Sequence, residues 1–208
     1  PIMLTGYADD DQNDESPKIQ NLLSRHSFPR GARVGVILHS LMEDLDFQTD
    51  DFGSLCERTL RRLGLQNEWL PVLEKWIRDI LNAPLGQFSL KDVGLKDRLD
   101  EMEFHFPLAT STSLVKFLTE QRYLEGASNK ALLLQGQMTG LVDLLFRRDG
   151  KYYIADYKST FLGNSLTYYN NESVARAMHS RQYHLQYLIY TVAIHRMLKQ
   201  KLPGYQYA

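Results

Sequence analysis

The stretch from Gly136 to Lys158 reads as two β-strands joined by a tight turn, and it constrains the fold more than any other part of the chain. Its turn signal is Asp149-Gly150, because both residues tolerate the positive φ angles of a two-residue hairpin turn. Counting outward pair by pair from that turn places Asp143 opposite Asp156. The sequence therefore predicts that two carboxylates meet on one face of the hairpin.

The two carboxylates need a compensating charge, because like charges directly opposite one another on a sheet repel. Lys158 lies two residues beyond Asp156 and so shares its strand face. A divalent cation would also remove the repulsion, since Mg²⁺ prefers carboxylate oxygens and keeps positions open for water and phosphate. The alternative is an exposed polar face with a cross-strand salt bridge, and a three-residue turn would set the acids diagonally.

Three short motifs give this patch a family resemblance. Gly140-Leu141-Val142-Asp143 and Asp156-Tyr157-Lys158 resemble the G-h-x-D and D-x-K halves of the PD-(D/E)XK nuclease superfamily, and Gln186 with Tyr190 resembles its Q-x-x-x-Y helix. Within that superfamily the chain is similar, over residues 28–207, to the RecB nuclease family of exodeoxyribonuclease V β subunits. The resemblance implies an α/β fold with a central mixed β-sheet flanked by helices.

Two further motifs supply candidate site residues. The segment from Gly35 to Glu43 is similar to the family's G-x-x-h-H-x-h-h-E helix, which implies that His39 contributes to the metal site and that Glu43 supports it. The strand that begins at Glu101 resembles the family strand whose acidic residue lies near the metal. Alternation puts Glu103 on the same face, and the choice of Glu101 depends on the resemblance.

The resemblance implies a site for a divalent cation. Its expected ligands are Asp143, Asp156, His39 and the main-chain carbonyl of Tyr157. Mg²⁺ is the expected metal, Mn²⁺ is an alternative that suits the imidazole ligand, and Ca²⁺ is expected to bind without supporting cleavage. ATP is expected only for a helicase part outside this chain, because no G-x-x-x-x-G-K-[ST] phosphate-binding loop occurs in the sequence.

Phosphodiester hydrolysis needs an attacking water, neutralisation of the growing phosphate charge and help for the departing oxygen. The family assigns this catalysis to Asp156, Lys158, Asp143 and Glu101. Lys158 is expected to orient or deprotonate the attacking water. Gln186 and Tyr190 lie four residues apart on a helix and share a face, which in the family lines the active cleft and so implies contact with DNA.

The function that the resemblance implies is a Mg²⁺-dependent DNA nuclease domain of a helicase–nuclease, acting in double-strand-break repair and degradation of linear DNA. The expected partners are single-stranded ends, linear duplex DNA, RecC- and RecD-type subunits and RecA. One alternative is a catalytically silent module that docks DNA or RecA. The intact set of Asp143, Asp156 and Lys158 argues against silence, because an inactive copy is free to lose them. A phage-type exonuclease or restriction enzyme is a second alternative, which the histidine and Q-x-x-x-Y motifs disfavour.

Composition limits the class of protein. A chain of 208 residues, 43% hydrophobic and 24% charged, suits one globular domain. It lacks an apolar run of ~20 residues that could span a bilayer, so we expect a soluble protein. A single cysteine fits a reducing cytosol, and the resemblance implies that this is the cytoplasm of a bacterium. The single cysteine, Cys56, excludes a disulfide framework and a four-cysteine iron–sulfur site. The net charge of −1 predicts that basic residues cluster near the cleft or that other parts of a larger protein hold the DNA.

The chain in order predicts a linker or flexible arm over residues 1–29 and a nuclease domain over residues 30–208. The start at Pro1 and the stop at Ala208 lead us to expect a fragment of a larger subunit that lacks the C-terminal edge of its fold. Apolar spacing predicts helices from about Gly31 onward and over residues 52–63 and 68–81, and it predicts a long helix or a helix pair over residues 172–201. A strand is predicted over residues 102–106 and a loop over residues 159–171.

Two groups of exposed side chains leave their roles open. Arg58, Arg61 and Arg62 fall on one side of a predicted helix and could contact phosphates, although such charges usually only solvate a helix face. Tyr168 and Tyr169 lie in the predicted loop and could stack on unpaired bases, which contributes about 1–3 kcal/mol per base. Ordinary loop packing is the alternative for both tyrosines.

Overall fold

The computed structural model describes residues 23–109, 112–121, 123 and 135–207. These residues form two compact units. The first, which we call the hairpin unit, comprises residues 23–101 and 143–166. The second, the C-terminal unit, comprises the described residues of 102–142 and 167–207. Residues 1–22 of the predicted arm lie outside the described residues.

Three helices make up the first part of the hairpin unit: α1 (Ala32–Asp44), α2 (Gly53–Leu63) and α3 (Leu70–Leu81). The apolar spacing predicted all three to within about two residues, because each helix buries one stripe of its surface. Helix α2 ends where Gly64 adopts a left-handed φ of 74°, which a residue with a side chain would resist. Short 3₁₀ helices occupy Asn67–Trp69, Leu90–Asp92 and Leu95–Asp97.

The core of the hairpin unit begins earlier than predicted. Phe28 is only 3% exposed and packs edge-on against Trp69 and Trp76, at ring-centroid distances of 5.2 and 5.6 Å. Burial of an aromatic side chain is a large favourable term, so this residue belongs to the packed unit and not to a flexible arm. The predicted arm of residues 1–29 is therefore too long at its C-terminal end. The side chains with less than 2% exposure in this unit are Leu41, Leu45, Phe47, Cys56, Leu60, Leu73, Leu81 and Leu144.

The sheet contains three strands among the described residues, in the order β1 (Arg98–Ala109), β2 (Gln135–Arg148) and β3 (Lys151–Ala155). Strands β2 and β3 are antiparallel, with pairs from Arg148↔Lys151 to Leu144↔Ala155. Asp149 and Gly150 have φ angles of 49° and 74°, which is the geometry of a two-residue hairpin turn. The predicted turn, its register and the α/β class are confirmed.

The C-terminal unit contains α4 (Thr112–Glu120), α5 (Asn171–Ser180) and α6 (Tyr183–Lys201). Asn170 caps α5 by accepting a 2.9 Å hydrogen bond from the Ser173 N–H. Of the two alternatives for residues 172–201, the structure has the helix pair, because Gln182 adopts a left-handed φ of 53° between α5 and α6. None of the helices in the described part of the chain is long and apolar enough to cross a bilayer.

Candidate metal centre

The register of the β2–β3 hairpin places two carboxylates at the open end of the hairpin, away from its turn. Asp143 and Asp156 are the next residues outward from the strand pair Leu144↔Ala155, and their side chains are 18% and 21% exposed. Strand β3 ends at Ala155, so Asp156 is the first residue after the strand. The main-chain N–H of Tyr157 donates a 2.7 Å hydrogen bond to Asp143 Oδ2. This bond ties the chain after β3 to the Asp143 side chain on β2.

Helix α1 brings His39 to the same place. Its Nδ1 lies 3.5 Å from Asp143 Oδ2, and its ring packs edge-on against Tyr157 at a centroid distance of 6.0 Å. His39 reaches this position because it adjoins the apolar stripe of α1, whose Leu41 is buried in the core. The hydrogen bond with Asp143 raises the pKa of His39 and outweighs the opposing effect of burial.

Lys158 forms an ion pair with Asp156, and its side chain is 30% exposed. Burial raises the pKa of Asp156, Lys158 acts against this, and the charge of Asp143 adds to the rise. Burial also opposes ionisation of Asp143. There, hydrogen bonds from His39 and from the Tyr157 N–H outweigh burial and hold the pKa below its ordinary value. The two carboxylates therefore differ in their affinity for a proton.

The donor set fits a divalent cation in its chemistry. Asp143 and Asp156 are both largely buried, and the negative charge of one disfavours ionisation of the other. A cation between them would remove that cost. The side chains make contacts with one another and with Lys158, and among the described residues no three His, Cys, Asp or Glu side chains surround one point as metal ligands.

The acidic candidates on β1 have a different environment. Glu101 is exposed and adopts a φ of 45°, which is uncommon for a residue with a side chain. Its charge acts on Glu43, whose pKa is raised by burial first and by Glu101 second, and on Asp100. Glu103 lies 3.3 Å from His105 Nε2. The structure thus brings Glu101 to the last turn of α1, beside the supporting residue Glu43 of the predicted motif.

The Q-x-x-x-Y residues lie in the C-terminal unit on α6. Gln186 Nε2 donates a 2.8 Å hydrogen bond to the Tyr190 hydroxyl, so the predicted shared face is confirmed. The Tyr190 ring packs edge-on against Phe104 at 5.8 Å. Tyr168 and Tyr169 are 50% and 38% exposed, which suits base stacking and ordinary loop packing equally.

Comparison with the sequence profiles of protein families identifies the family of this chain. The profile of the PD-(D/E)XK nuclease superfamily matches residues 18–206 of the chain. The chain belongs to the PD-(D/E)XK nuclease superfamily. Both halves of the superfamily motif, Asp143 on β2 and Asp156 with Lys158 after β3, lie inside the matched region.

Similar proteins are named RecBCD enzyme subunit RecB. The protein from Escherichia coli K12 is 36% identical over 192 residues, which are 89% of this chain and 16% of that protein. The Haemophilus influenzae protein is 35% identical over 86% of this chain and 15% of its own length. The protein from Buchnera aphidicola of Acyrthosiphon pisum is 33% identical over 93% and 17%. The chain thus spans about one sixth of the length of these superfamily members.

Sequence reasoning missed one residue that supports the superfamily site. Arg98 is 7% exposed and donates hydrogen bonds to the carbonyls of Leu45, at 2.7 Å, and Glu43, at 3.3 Å, at the C-terminal end of α1. It also pairs with Asp100 at 2.9 Å and stacks on Phe47 at 3.8 Å. Arg98 thereby joins the helix that carries His39 to the strand that carries Glu101. A charged residue at a strand start resembles a surface residue, so the sequence held no signal for this role.

Proposed function

We propose that this chain is a RecB-type DNA nuclease domain that hydrolyses phosphodiester bonds with Mg²⁺. The observation that carries the proposal is the contact set of His39 with Asp143 and of Asp156 with Lys158, joined by the Tyr157 N–H. Two carboxylates and an amine at one end of the hairpin, with an imidazole from α1, are groups suited to metal-dependent hydrolysis. Superfamily membership supports the same reaction class.

The metal would be held by Asp143, Asp156, His39 and the main-chain carbonyl of Tyr157. When bound, Mg²⁺ supplies Lewis acidity toward phosphate oxygens and lowers the pKa of a coordinated water. Mn²⁺ would suit the same donor set, and Ca²⁺ would bind without supporting cleavage.

The protein's own groups act on the substrate and on the attacking water. As an ammonium group, Lys158 orients the water and opposes the negative charge that grows on the phosphate. To act as the base, Lys158 would have to be the neutral amine, which accepts the proton of the water and becomes the ammonium group. Asp156 holds the Lys158 ammonium in place through their ion pair. Asp143 is kept ionised by its hydrogen bonds and so remains available as a ligand at neutral pH. Glu101 contributes a further carboxylate to the catalytic set.

DNA contact extends beyond the hairpin. Gln186 and Tyr190 form one polar face of α6, and we assign them to DNA binding. The related proteins are subunits of an enzyme named RecBCD, and we propose single-stranded ends and linear duplex DNA as substrates, with RecC- and RecD-type subunits and RecA as partners. We place the protein in the bacterial cytoplasm, in double-strand-break repair and degradation of linear DNA, with ATP used by a helicase part of the parent protein.

The test is cleavage of end-labelled linear single-stranded DNA by the purified chain in Mg²⁺, in Ca²⁺ and in EDTA, beside an Asp156→Asn variant and a calorimetric metal titration. We expect cleavage that requires Mg²⁺ and disappears in the folded variant. Metal binding without cleavage would mean that other parts of the parent enzyme must present the DNA. Absence of both would contradict the nuclease proposal and favour a silent module that docks DNA or RecA.

A further inference from the structure

A group of arginines lies on the exposed side of the hairpin unit. We call it the arginine surface, and it consists of Arg30, Arg33, Arg58, Arg61 and Arg62. All five residues are exposed. Helix α2 buries the opposite side, which carries Leu55, Cys56, Thr59 and Leu60. The arginines of α2 therefore lie on a helix whose opposite face packs in the core, which fixes their positions.

One hydrogen bond joins the two parts of the arginine surface. Arg33 Nη2, on the first turn of α1, donates to the main-chain carbonyl of Arg62 in the last turn of α2 at 2.9 Å. The N-terminal end of α1 and the C-terminal end of α2 thus lie together. This contact brings together arginines that are about thirty positions apart in the sequence and that no single motif would connect.

The arginine surface adjoins the candidate metal centre. Gly35 of α1 lies against Ser159, since a Cβ atom at Gly35 would come within 3.1 Å of the Ser159 Oγ. The Arg30 guanidinium lies 3.2 Å from the ring centroid of Phe161. Residues 159–161 follow directly after Lys158, so the N-terminal end of α1 borders the segment that leaves the catalytic lysine. His39 lies four residues beyond Gly35 and therefore on the same face of α1.

The charge of the arginine surface is largely uncompensated. Among the described residues, the only ion pair made by these five side chains is that of Arg61 with Glu57, at 4.0 Å and with both groups exposed. The arginine surface carries five positive charges, and one negative charge is paired with them. The whole chain, by contrast, has a net charge of −1. A near-neutral protein that binds a polyanion must do so through a local excess of positive charge.

We propose that the arginine surface binds the phosphate backbone of the DNA strand that leads into the metal centre. The proposal rests on the proposed nuclease function only for the choice of DNA as the polyanion. Guanidinium groups suit phosphate because their N–H groups match its oxygens in pairs. The contacts are made to the backbone, so they carry no base preference and position the strand for cleavage at any sequence.

The test is salt-dependent binding of a fluorescein-labelled single-stranded oligonucleotide to the full chain in EDTA, where cleavage is prevented. The variant is Arg58→Gln/Arg62→Gln, which removes two exposed charges one helical turn apart and keeps good helix formers. Two lost phosphate contacts reduce the slope of log K against log salt by about 1.4, which corresponds to a loss of about 25-fold in affinity at about 0.1 M salt. Circular dichroism checks that α2 is retained.

Two further variants separate phosphate contact from other effects. Lys199→Gln/Lys201→Gln removes the same charge from exposed positions in the last turn of α6, and we expect it to change the slope by much less. Arg58→Lys/Arg62→Lys keeps the charges, and we expect the slope of log K against log salt to return to the wild-type value, with part of the affinity. An unchanged slope in the glutamine variant, an equal loss in the α6 variant, or no recovery of the slope with lysine would each overturn the proposal.

The outcome for the arginine surface is independent of the outcome for catalysis. If the wild-type chain cleaves DNA in Mg²⁺ and the glutamine variant binds as tightly as wild type, the arginine surface is refuted and the nuclease stands. If the chain binds DNA through these arginines but neither cleaves DNA nor binds metal, the surface stands and the nuclease proposal fails. A wild-type chain that does not bind the oligonucleotide refutes the arginine surface.

Discussion

The Tyr157 N–H donates to Asp143 Oδ2 at 2.7 Å, which links the residue between Asp156 and Lys158 to the carboxylate on the neighbouring strand. Tyr157, the middle residue of the D-x-K motif, therefore contacts other site residues through its backbone as well as through its side chain. Its aromatic ring is mostly buried and packs against His39. One residue thus holds the acid of β2, the histidine of α1 and the lysine after β3 in a common arrangement.

The Tyr157–Asp143 bond predicts different results for two substitutions at Asp143. Asp143→Asn keeps an oxygen that accepts the Tyr157 N–H but loses the charge that His39 favours, so we expect lost cleavage and a small loss of thermal stability. Asp143→Ala removes the acceptor and leaves a partly buried N–H unpaired, which costs about 1–3 kcal/mol. Thermal unfolding in EDTA and DNA cleavage in Mg²⁺ measure the two effects. Equal unfolding temperatures for the two variants would contradict the structural role of this bond.

Asp156→Asn is expected to abolish cleavage without destabilising the chain in EDTA. The pKa of Asp156 is raised, so the folded state holds this proton more tightly than the unfolded state does. Its contribution to stability is therefore present below the ordinary pKa of 3.8 and is lost as the pH rises through the folded-state pKa. At neutral pH the ionised carboxyl opposes folding, and the amide removes that cost.

A matched control for Asp156→Asn is Asp50→Asn. Asp50 is exposed, pairs with Lys91 at 2.6 Å and has a lowered pKa. Its ionisation favours folding above the ordinary pKa, so we expect a small loss of stability with cleavage retained. Calorimetric melting temperatures at neutral pH compare the two variants. A lower melting temperature and lost helicity in Asp156→Asn would contradict the catalytic assignment.

Cys56 is expected to be unreactive in the folded chain. Its side chain is 0% exposed, and burial raises the pKa of the thiol to about 12. Because the thiolate is the reactive form, a water-soluble disulfide reagent at about pH 8 should leave the native chain unmodified. In concentrated guanidinium chloride the same reagent should modify one thiol per chain. Rapid modification without denaturant would mean that α2 opens locally.

The raised pKa of the Cys56 thiol also predicts that the free energy of unfolding declines at alkaline pH. The unfolded chain releases the thiol proton near the ordinary value of 9.0, and the folded chain retains it to about 12. Stability from this group is therefore complete below about pH 9 and falls as the pH rises further. Melting temperatures of wild type and Cys56→Ala across this range measure the effect. The alanine variant, although less stable from its cavity, should show a shallower decline.

Gly140→Ala is expected to destabilise the C-terminal unit. A Cβ atom at this position would lie 2.5 Å from Phe104 Cζ, and that ring is 8% exposed and packed against Phe106 and Tyr190. Overpacking of this kind costs about 1–3 kcal/mol. Denaturant unfolding measures the loss. Gly140→Ala/Phe104→Leu should recover much of it, because the smaller side chain makes room, and purely additive losses would contradict the steric explanation.

The hairpin could be predicted from sequence because its determinants are local. Asp149-Gly150 selects a two-residue turn, and in a hairpin the turn sets the register of every pair out to Leu144↔Ala155. The helices could be predicted for a similar reason, since one buried stripe at three- and four-residue spacing defines each of them. The break at Gln182 was left open between one helix and two, because an isolated left-handed residue leaves no strong signal in the sequence.

The sequence by itself determined the helices of the hairpin unit, the hairpin register and the identity of the motif residues, because each depends on neighbours a few positions away. Only the tertiary structure decided that His39 reaches Asp143, that Arg98 is buried beneath α1, and that Phe28 joins the core. It also decided that the Arg33 side chain donates a hydrogen bond to the Arg62 carbonyl. These contacts join residues far apart in the chain, and they follow from how the apolar stripes pack against one another, which a pattern within one segment does not specify.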